Sequence, residues 1–189
     1  MSGSFVSRGG EKLHHALEAF SFSPAGKVCA DLGCATGGFT DCLIQHGAAK
    51  VYAVDRGYGV LAAKLRGDPR VVAYERTDAL RVHLPEPVDL VTIDAGWTRQ
   101  ALILPAAMRL LAPGGRILTL VKPQYEAPPD QLRDGVLPDE CIEAAISPIR
   151  ESLLTLNLTL LDETPSPIRG QGGNQEWLWL LAPRPLTTG

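Results

Sequence analysis

The sequence predicts a doubly wound α/β fold, a mostly parallel sheet with helices on both faces. Three observations predict it. Short apolar runs recur along the chain, and several end on a carboxylate. Segments of helical periodicity or glycine-rich turns separate them. The runs are nearly continuously apolar rather than alternating, as strands buried on both faces are. Crossovers between such strands are expected to be right-handed.

The elements follow in order. A polar arm and one helix, roughly residues 11–20, precede the first strand, 27–31 (K-V-C-A-D). Gly33, Gly37 and Gly38 then make a turn into a helix over 40–46. Residues 51–55 (V-Y-A-V-D) form a second strand, and 60–66 a helix closed by Gly67-Asp68-Pro69. Residues 70–74 and 88–94 (V-D-L-V-T-I-D) are the third and fourth strands. A helix over 98–111 stops at Pro113-Gly114-Gly115, and 116–121 is the fifth strand. Residues 139–156 suit a helix. Residues 158–161 and 176–181 read as strands joined by a loop alone, which predicts an antiparallel pair at the end of the sheet.

At 189 residues, 45% hydrophobic and 21% charged, the chain is expected to form one globular domain over 1–189, with 1–24 as its N-terminal arm and helix. No run of 18 uncharged apolar residues predicts a membrane span, and the first ten residues lack a signal-like apolar core. Cys29, Cys34, Cys42 and Cys141 form no C-x-x-C pair, so no metal site is expected and a cytoplasmic setting is. A net charge of −3 disfavours a simple basic coat on nucleic acid. The charge is divided, however. Residues 1–122 hold 14 basic and 11 acidic groups, a net of +3, and residues 123–189 hold 4 and 10, a net of −6.

Ligands of open α/β sheets bind outside the carboxyl ends of the strands. The first strand delivers D-L-G-C-A-T-G-G-F-T, residues 31–40, to that edge. Its G-x-x-x-G-G spacing is neither the dinucleotide fingerprint nor a phosphate loop. A glycine turn alone is weak evidence, but three acids add to it. Asp55 is placed to accept from ribose hydroxyls, Asp78 from an adenine amino group, and Asp31 from an amino-acid ammonium. S-adenosyl-L-methionine satisfies that set better than NAD, whose pyrophosphate prefers fewer carboxylates.

Further motifs surround this site in order. They are Ser7-Arg8-Gly9-Gly10-Glu11-Lys12-Leu13, V-Y-A-V-D-R-G-Y-G, L-V-T-I-D, L-A-P-G-G, L-V-K-P-Q-Y-E and G-N-Q-E-W-L. Together they resemble the TlyA/FtsJ-like (RrmJ-related) ribosomal RNA 2′-O-methyltransferases over roughly residues 5–183. The resemblance implies a Rossmann-like methyltransferase with strand order 3-2-1-4-5-7-6. It implies that Gly37, Phe39, Asp55, Asp78 and Asp94 line the cofactor site, to which the strand end and glycine turn add Asp31, Gly33 and Gly38 as expected cofactor-binding residues. It also implies a catalytic tetrad of Lys12, Asp94, Lys122 and Glu176, and RNA as partner, either ribosomal RNA or a ribosomal subunit.

The tetrad makes chemical sense. A ribose hydroxyl must lose its proton as it attacks, and a lysine can take that proton if burial and a second cation depress its pKa. Lys122 is placed as that base, Lys12 as the second cation, and Asp94 and Glu176 as their orienting partners. Three departures from the family pattern stand out. Few residues precede S-R-G-G, so the usual S4-like domain is expected to be missing. Ala95-Gly96-Trp97 replaces V-S-F. Residues 127–134 are acidic and proline-containing where basic residues are usual. A small-molecule O-methyltransferase, and a non-catalytic haemolysin-like or cofactor-binding protein, are the alternatives. Trp97 is read either as a stacking surface for a flipped base or as core.

Overall fold

The computed structural model describes residues 4–184. Five strands are parallel: β1 (Val28–Leu32), β2 (Lys50–Val54), β3 (Val71–Tyr74), β4 (Val88–Ile93) and β5 (Leu111–Val121). Two more, β6 (Leu158–Pro165) and β7 (Trp177–Pro183), form the expected antiparallel pair. The order is β3-β2-β1-β4-β5-β7-β6, with β7 antiparallel to β5. Sequence order reverses between β1 and β4, which opens a crevice at their carboxyl ends.

Side-chain alternation along the strands divides the core between two faces. Cys29, Leu90, Leu118 and Leu178 point to one face, where α1 (Gly9–Ala19) and α2 (Gly38–Gln45) supply Leu13, Leu17, Phe39 and Leu43. Ala30, Val91, Ile117 and Trp179 point to the other, against Ile103, Leu104, Ile146 and Ile149 of α4 (Gln100–Leu110) and α6 (Ile142–Thr155). Leu13 is fully buried and adjoins Lys12, so the packing of α1 also sets where Lys12 sits. Removing that leucine side chain is expected to cost about 2–5 kcal/mol.

Several boundaries differ from the sequence reading. The helix expected over 60–66 contracts to α3 (Ala63–Arg66), preceded by a glycine-containing loop. The strand expected from 116 begins at Leu111, because Leu111 pairs with Val88 across a bulge, so Pro113-Gly114-Gly115 lies within β5. The helix over 139–156 starts with a 3-10 turn at Asp139–Cys141. A short helix absent from the reading, α5 (Pro123–Glu126), follows β5 directly.

Candidate active site

The ends of β1 to β4 enclose a crevice of about 300 Å³. Gly33, Asp55, Asp78, Ala95 and Trp97 are among the residues that line it. Asp55 accepts hydrogen bonds from the backbone N–H of Ala35 at 2.9 Å and of Gly57 at 2.7 Å. The first of these bonds ties the end of β2 to the glycine turn, and the second turns the chain after β2. Asp78 accepts from Leu80 N–H at 3.0 Å and pairs with Arg56 at 2.8 Å. The Leu80 N–H, and then the Arg56 guanidinium, hold its carboxyl below the usual range.

A smaller crevice of about 100 Å³ adjoins Lys12, Gly33, Cys34, Gly38, Phe39 and Asp94. Gly33 borders both spaces. Its φ of +84° and its contact with the neighbouring strand both demand glycine, since a Cβ would fall 2.8 Å from the Asp94 carbonyl oxygen. A side chain on Gly38 would collide with Ser7 Oγ and approach Gly10 N at 2.9 Å. That close approach seats the N-terminus of α1 on that of α2. Gly37 precedes α2 as its N-cap, and the missing side chain would point at Leu61 and Leu65.

Asp31 departs from expectation. It is fully buried, and its two carboxylate oxygens accept from Thr40 Oγ1 at 2.7 Å and Thr92 Oγ1 at 3.1 Å. It supports the glycine turn from beneath rather than facing either crevice. Burial pushes its pKa up to about 7 against the pull of those two bonds.

The other four acidic and basic candidates meet at the same edge of the sheet. β4 and β5 run side by side, so their ends carry Asp94 and Lys122 to adjacent positions. The antiparallel register pairs Val121 with Trp177, which brings Glu176 beside Lys122 along the chain edge. α1 adds Lys12. Lys12 Nζ lies 2.5 Å from Glu176 Oε2, both residues nearly buried. Lys122 Nζ lies 2.6 Å from Asp94 Oδ1. Buried pairs of this kind are tolerated only because each charge has its opposite.

The protonation expected of Lys122 needs correction. Burial does lower its pKa, but the carboxylates of Asp94 and Glu176 outweigh burial and leave it above the ordinary lysine value. In the free protein Lys122 is an ammonium.

Trp97 is 86% exposed, which removes the core alternative. Its ring lies on that of Tyr125, with centroids 4.8 Å apart. Residues that the sequence reading missed also shape the site. Asn174 is buried, accepts from Leu137 N–H at 2.8 Å and donates to the Gly135 carbonyl at 3.0 Å. A Cβ at Gly170 would come within 2.6 Å of Glu176 Oε1, so that glycine makes room for the Lys12–Glu176 pair. Both lie in the run G-Q-G-G-N-Q-E, whose glycines were the available signal. Among the described residues no group of three or more His, Cys, Asp or Glu is arranged to hold a metal ion, and the four cysteines are unpaired.

Comparison with known proteins bears on this geometry. The family model of FtsJ-like methyltransferases matches residues 5–182. The chain belongs to that family. This FtsJ-like methyltransferase draws its methyl group from S-adenosyl-L-methionine. It is 42% identical over 184 residues to the 16S/23S rRNA (cytidine-2′-O)-methyltransferase TlyA of Mycobacterium tuberculosis, covering 94% of this chain and 68% of that protein. It is 38% identical to Hemolysin A of Brachyspira hyodysenteriae, covering 92% of this chain and 75% of the relative. A solved Streptococcus thermophilus protein, provisionally described as a hemolysin, superposes with a TM-score of 0.92 at 35% identity, covering 97% of this chain and 69% of its own.

Proposed function

We propose that this FtsJ-like methyltransferase methylates a ribose 2′-hydroxyl of RNA, with ribosomal RNA in the cytoplasm as substrate. The observation that carries this reading is the meeting of the Lys12–Glu176 and Lys122–Asp94 pairs at one sheet edge beside the glycine turn. The name of the Mycobacterium relative supports the substrate.

The two spaces divide the cofactor between them. Asp55 and Asp78 line the larger and offer acceptors to the hydroxyls and amino group of a nucleoside. Gly33, Gly38 and Phe39 shape the smaller end, where Asp94 also lies, and Gly37 caps the helix that follows. When bound, S-adenosyl-L-methionine supplies an electrophilic sulfonium methyl.

The chain's own groups then handle the proton. Lys122 starts as an ammonium held by Asp94. A further positive charge brought into the crevice, and the exclusion of water by substrate, both lower its pKa. Lys122 releases its proton to solvent before the crevice closes, and the neutral amine then accepts the hydroxyl proton at Nζ. Lys12, pinned by Glu176, adds like charge that favours loss of the Lys122 ammonium proton before the transfer. Asp94 keeps the Lys122 amine aimed at the hydroxyl. Trp97 offers a stacking surface for the target base.

The test is incubation of ribosomal RNA with the protein and labelled cofactor, followed by mass mapping of ribose methylation. A new 2′-O-methyl nucleotide is expected. Methylation confined to bases, or none on ribosomal RNA, sinks the reading. A lytic role is suggested by the name of the Brachyspira relative. Among the described residues no helix is long and apolar enough to cross a membrane. Erythrocyte lysis that survives Lys122→Ala would favour that role.

A further inference from the structure

We infer that Glu126 is a positioning residue that clamps the loop after Asp94 to the segment carrying Lys122, so that the two partners of that ion pair hold one geometry. The inference rests on the tetrad proposed above.

The start of α4 is the first part of the argument. Residue 99, which precedes the helix, gives it no side-chain cap, so its leading N–H groups need acceptors from elsewhere. Glu126, at the end of α5, supplies one. Its Oε1 accepts from the backbone N–H of Gln100 at 2.7 Å. A carboxylate there also gains from the positive end of the helix.

Gln100 makes the attachment double. Its side chain is buried, with Oε1 accepting from Thr119 Oγ1 at 2.9 Å and Nε2 reaching the Leu120 carbonyl at 3.5 Å. The start of α4 is therefore fastened to residues on both sides of Lys122, at 119–120 and at 126. Tyr125, the neighbour of Glu126, adds its stack on Trp97. Only residues 95–99 separate Asp94 from Gln100, and they include Gly96 and the exposed Trp97 at a φ of +62°. A loop so short and so little packed inherits its position from its ends. One end is the Asp94–Lys122 pair, and the other is the Glu126 clamp.

An N-cap that served stability alone would behave differently, since its loss would weaken folding and leave the rate of the folded enzyme alone. Displacement of a reacting group by about 1 Å costs up to ~100-fold in rate. The experiment compares Glu126→Ala and Glu126→Gln with the wild type in the full chain. Single-turnover methylation of ribosomal RNA is read at saturating cofactor, together with the Kd of S-adenosyl-L-methionine. The fluorescence anisotropy of Trp97, which reports the mobility of its loop, is read by difference from Trp97→Phe.

Glu126→Ala is expected to slow methylation by ~10- to 100-fold, to leave the cofactor Kd within about threefold, and to lower the anisotropy of Trp97. Glu126→Gln keeps an acceptor for Gln100 N–H and is expected to restore most of the rate and the anisotropy. A lowered melting temperature with unchanged rate and unchanged anisotropy overturns the inference. If the wild type leaves RNA unmethylated, the proposed reaction fails instead. The clamp then stands or falls on the anisotropy difference alone.

Discussion

At the Asp55–Asp78 end of the crevice, carboxylates accept backbone N–H groups, and Asp78 also pairs with the exposed Arg56. At the Lys12–Glu176 end, each charge meets an opposite charge within 2.6 Å. The first end suits a neutral, polyhydroxylated partner, because each carboxylate oxygen can accept a second bond and the Arg56 pair is screened by solvent. The second is stable only as a set, because a buried charge without its partner is expensive. Binding should therefore erode gradually under substitution at one end, and chemistry should collapse abruptly at the other.

The largest expected effect breaks the reactive end without touching the open one. Lys122→Ala removes the proposed base and leaves Asp94, 26% exposed, to be solvated. Single-turnover methylation should fall by ~10²- to 10⁴-fold, the usual worth of a positioned base. Cofactor affinity measured by calorimetry should stay within about threefold. A rate within tenfold of wild type would remove Lys122 from the chemistry.

The next prediction concerns stability. Glu176→Gln strands the Lys12 ammonium in a site where Glu176 is 3% exposed. Breaking one partner of a buried pair costs about 3–5 kcal/mol. Urea unfolding should register that loss, and adding Lys12→Met to the same variant should recover much of it. If the single variant is as stable as wild type, the pair is better hydrated than its burial implies.

The sheet was legible because parallel strands buried on both faces leave an apolar signature, and because the ends of those strands carry acids. The order of the reactive groups along that edge followed from the family resemblance. What stayed hidden were contacts that leave no periodic trace. Glu126 reads as one acid in an acidic stretch, and only the fold brings it to Gln100, 26 residues earlier. Asp31 reads like Asp55, since both close a strand. The difference arises because Asp31 is covered from both sides, by Thr40 of α2 and Thr92 of β4, whereas Asp55 meets an open turn. The resting charge of Lys122 is hidden from the sequence for a related reason. Burial and the carboxylates act in opposite directions, and their balance depends on distances that a sequence does not contain.

Asp31 gives the third prediction. Its carboxyl, at about 7 in the folded protein, binds its proton more tightly than in the unfolded chain, where such a group titrates near 4. A carboxyl shifted upward in this way costs nothing when both states are protonated. The cost grows as pH rises from about 4 and is complete above about 7. Asp31→Asn has no such proton to lose. Its stability relative to wild type should therefore rise between pH 4 and pH 7, by a few kcal/mol in order of magnitude, as followed by urea unfolding. A difference that does not vary with pH would mean that Asp31 is ionised throughout.

The smallest effect tests the open end. Asp78→Asn preserves shape and removes charge from an acceptor that lines the larger crevice. The Arg56 it releases is 71% exposed, so solvent screens the loss and folding stability should hardly change. A hydrogen bond to a charged acceptor is worth about 1.5–3 kcal/mol, so the Kd for S-adenosyl-L-methionine should weaken by ~10-fold or somewhat more. Methylation at saturating cofactor should stay within about threefold of wild type, because Asp78 lines the larger crevice whereas Lys12 and Asp94 line the smaller one. Titrating cofactor in single-turnover assays separates the two quantities. If the saturated rate of Asp78→Asn falls as far as that of Lys122→Ala, then the two ends act as one electrostatic unit, and the division drawn between holding the nucleoside and moving the proton is wrong.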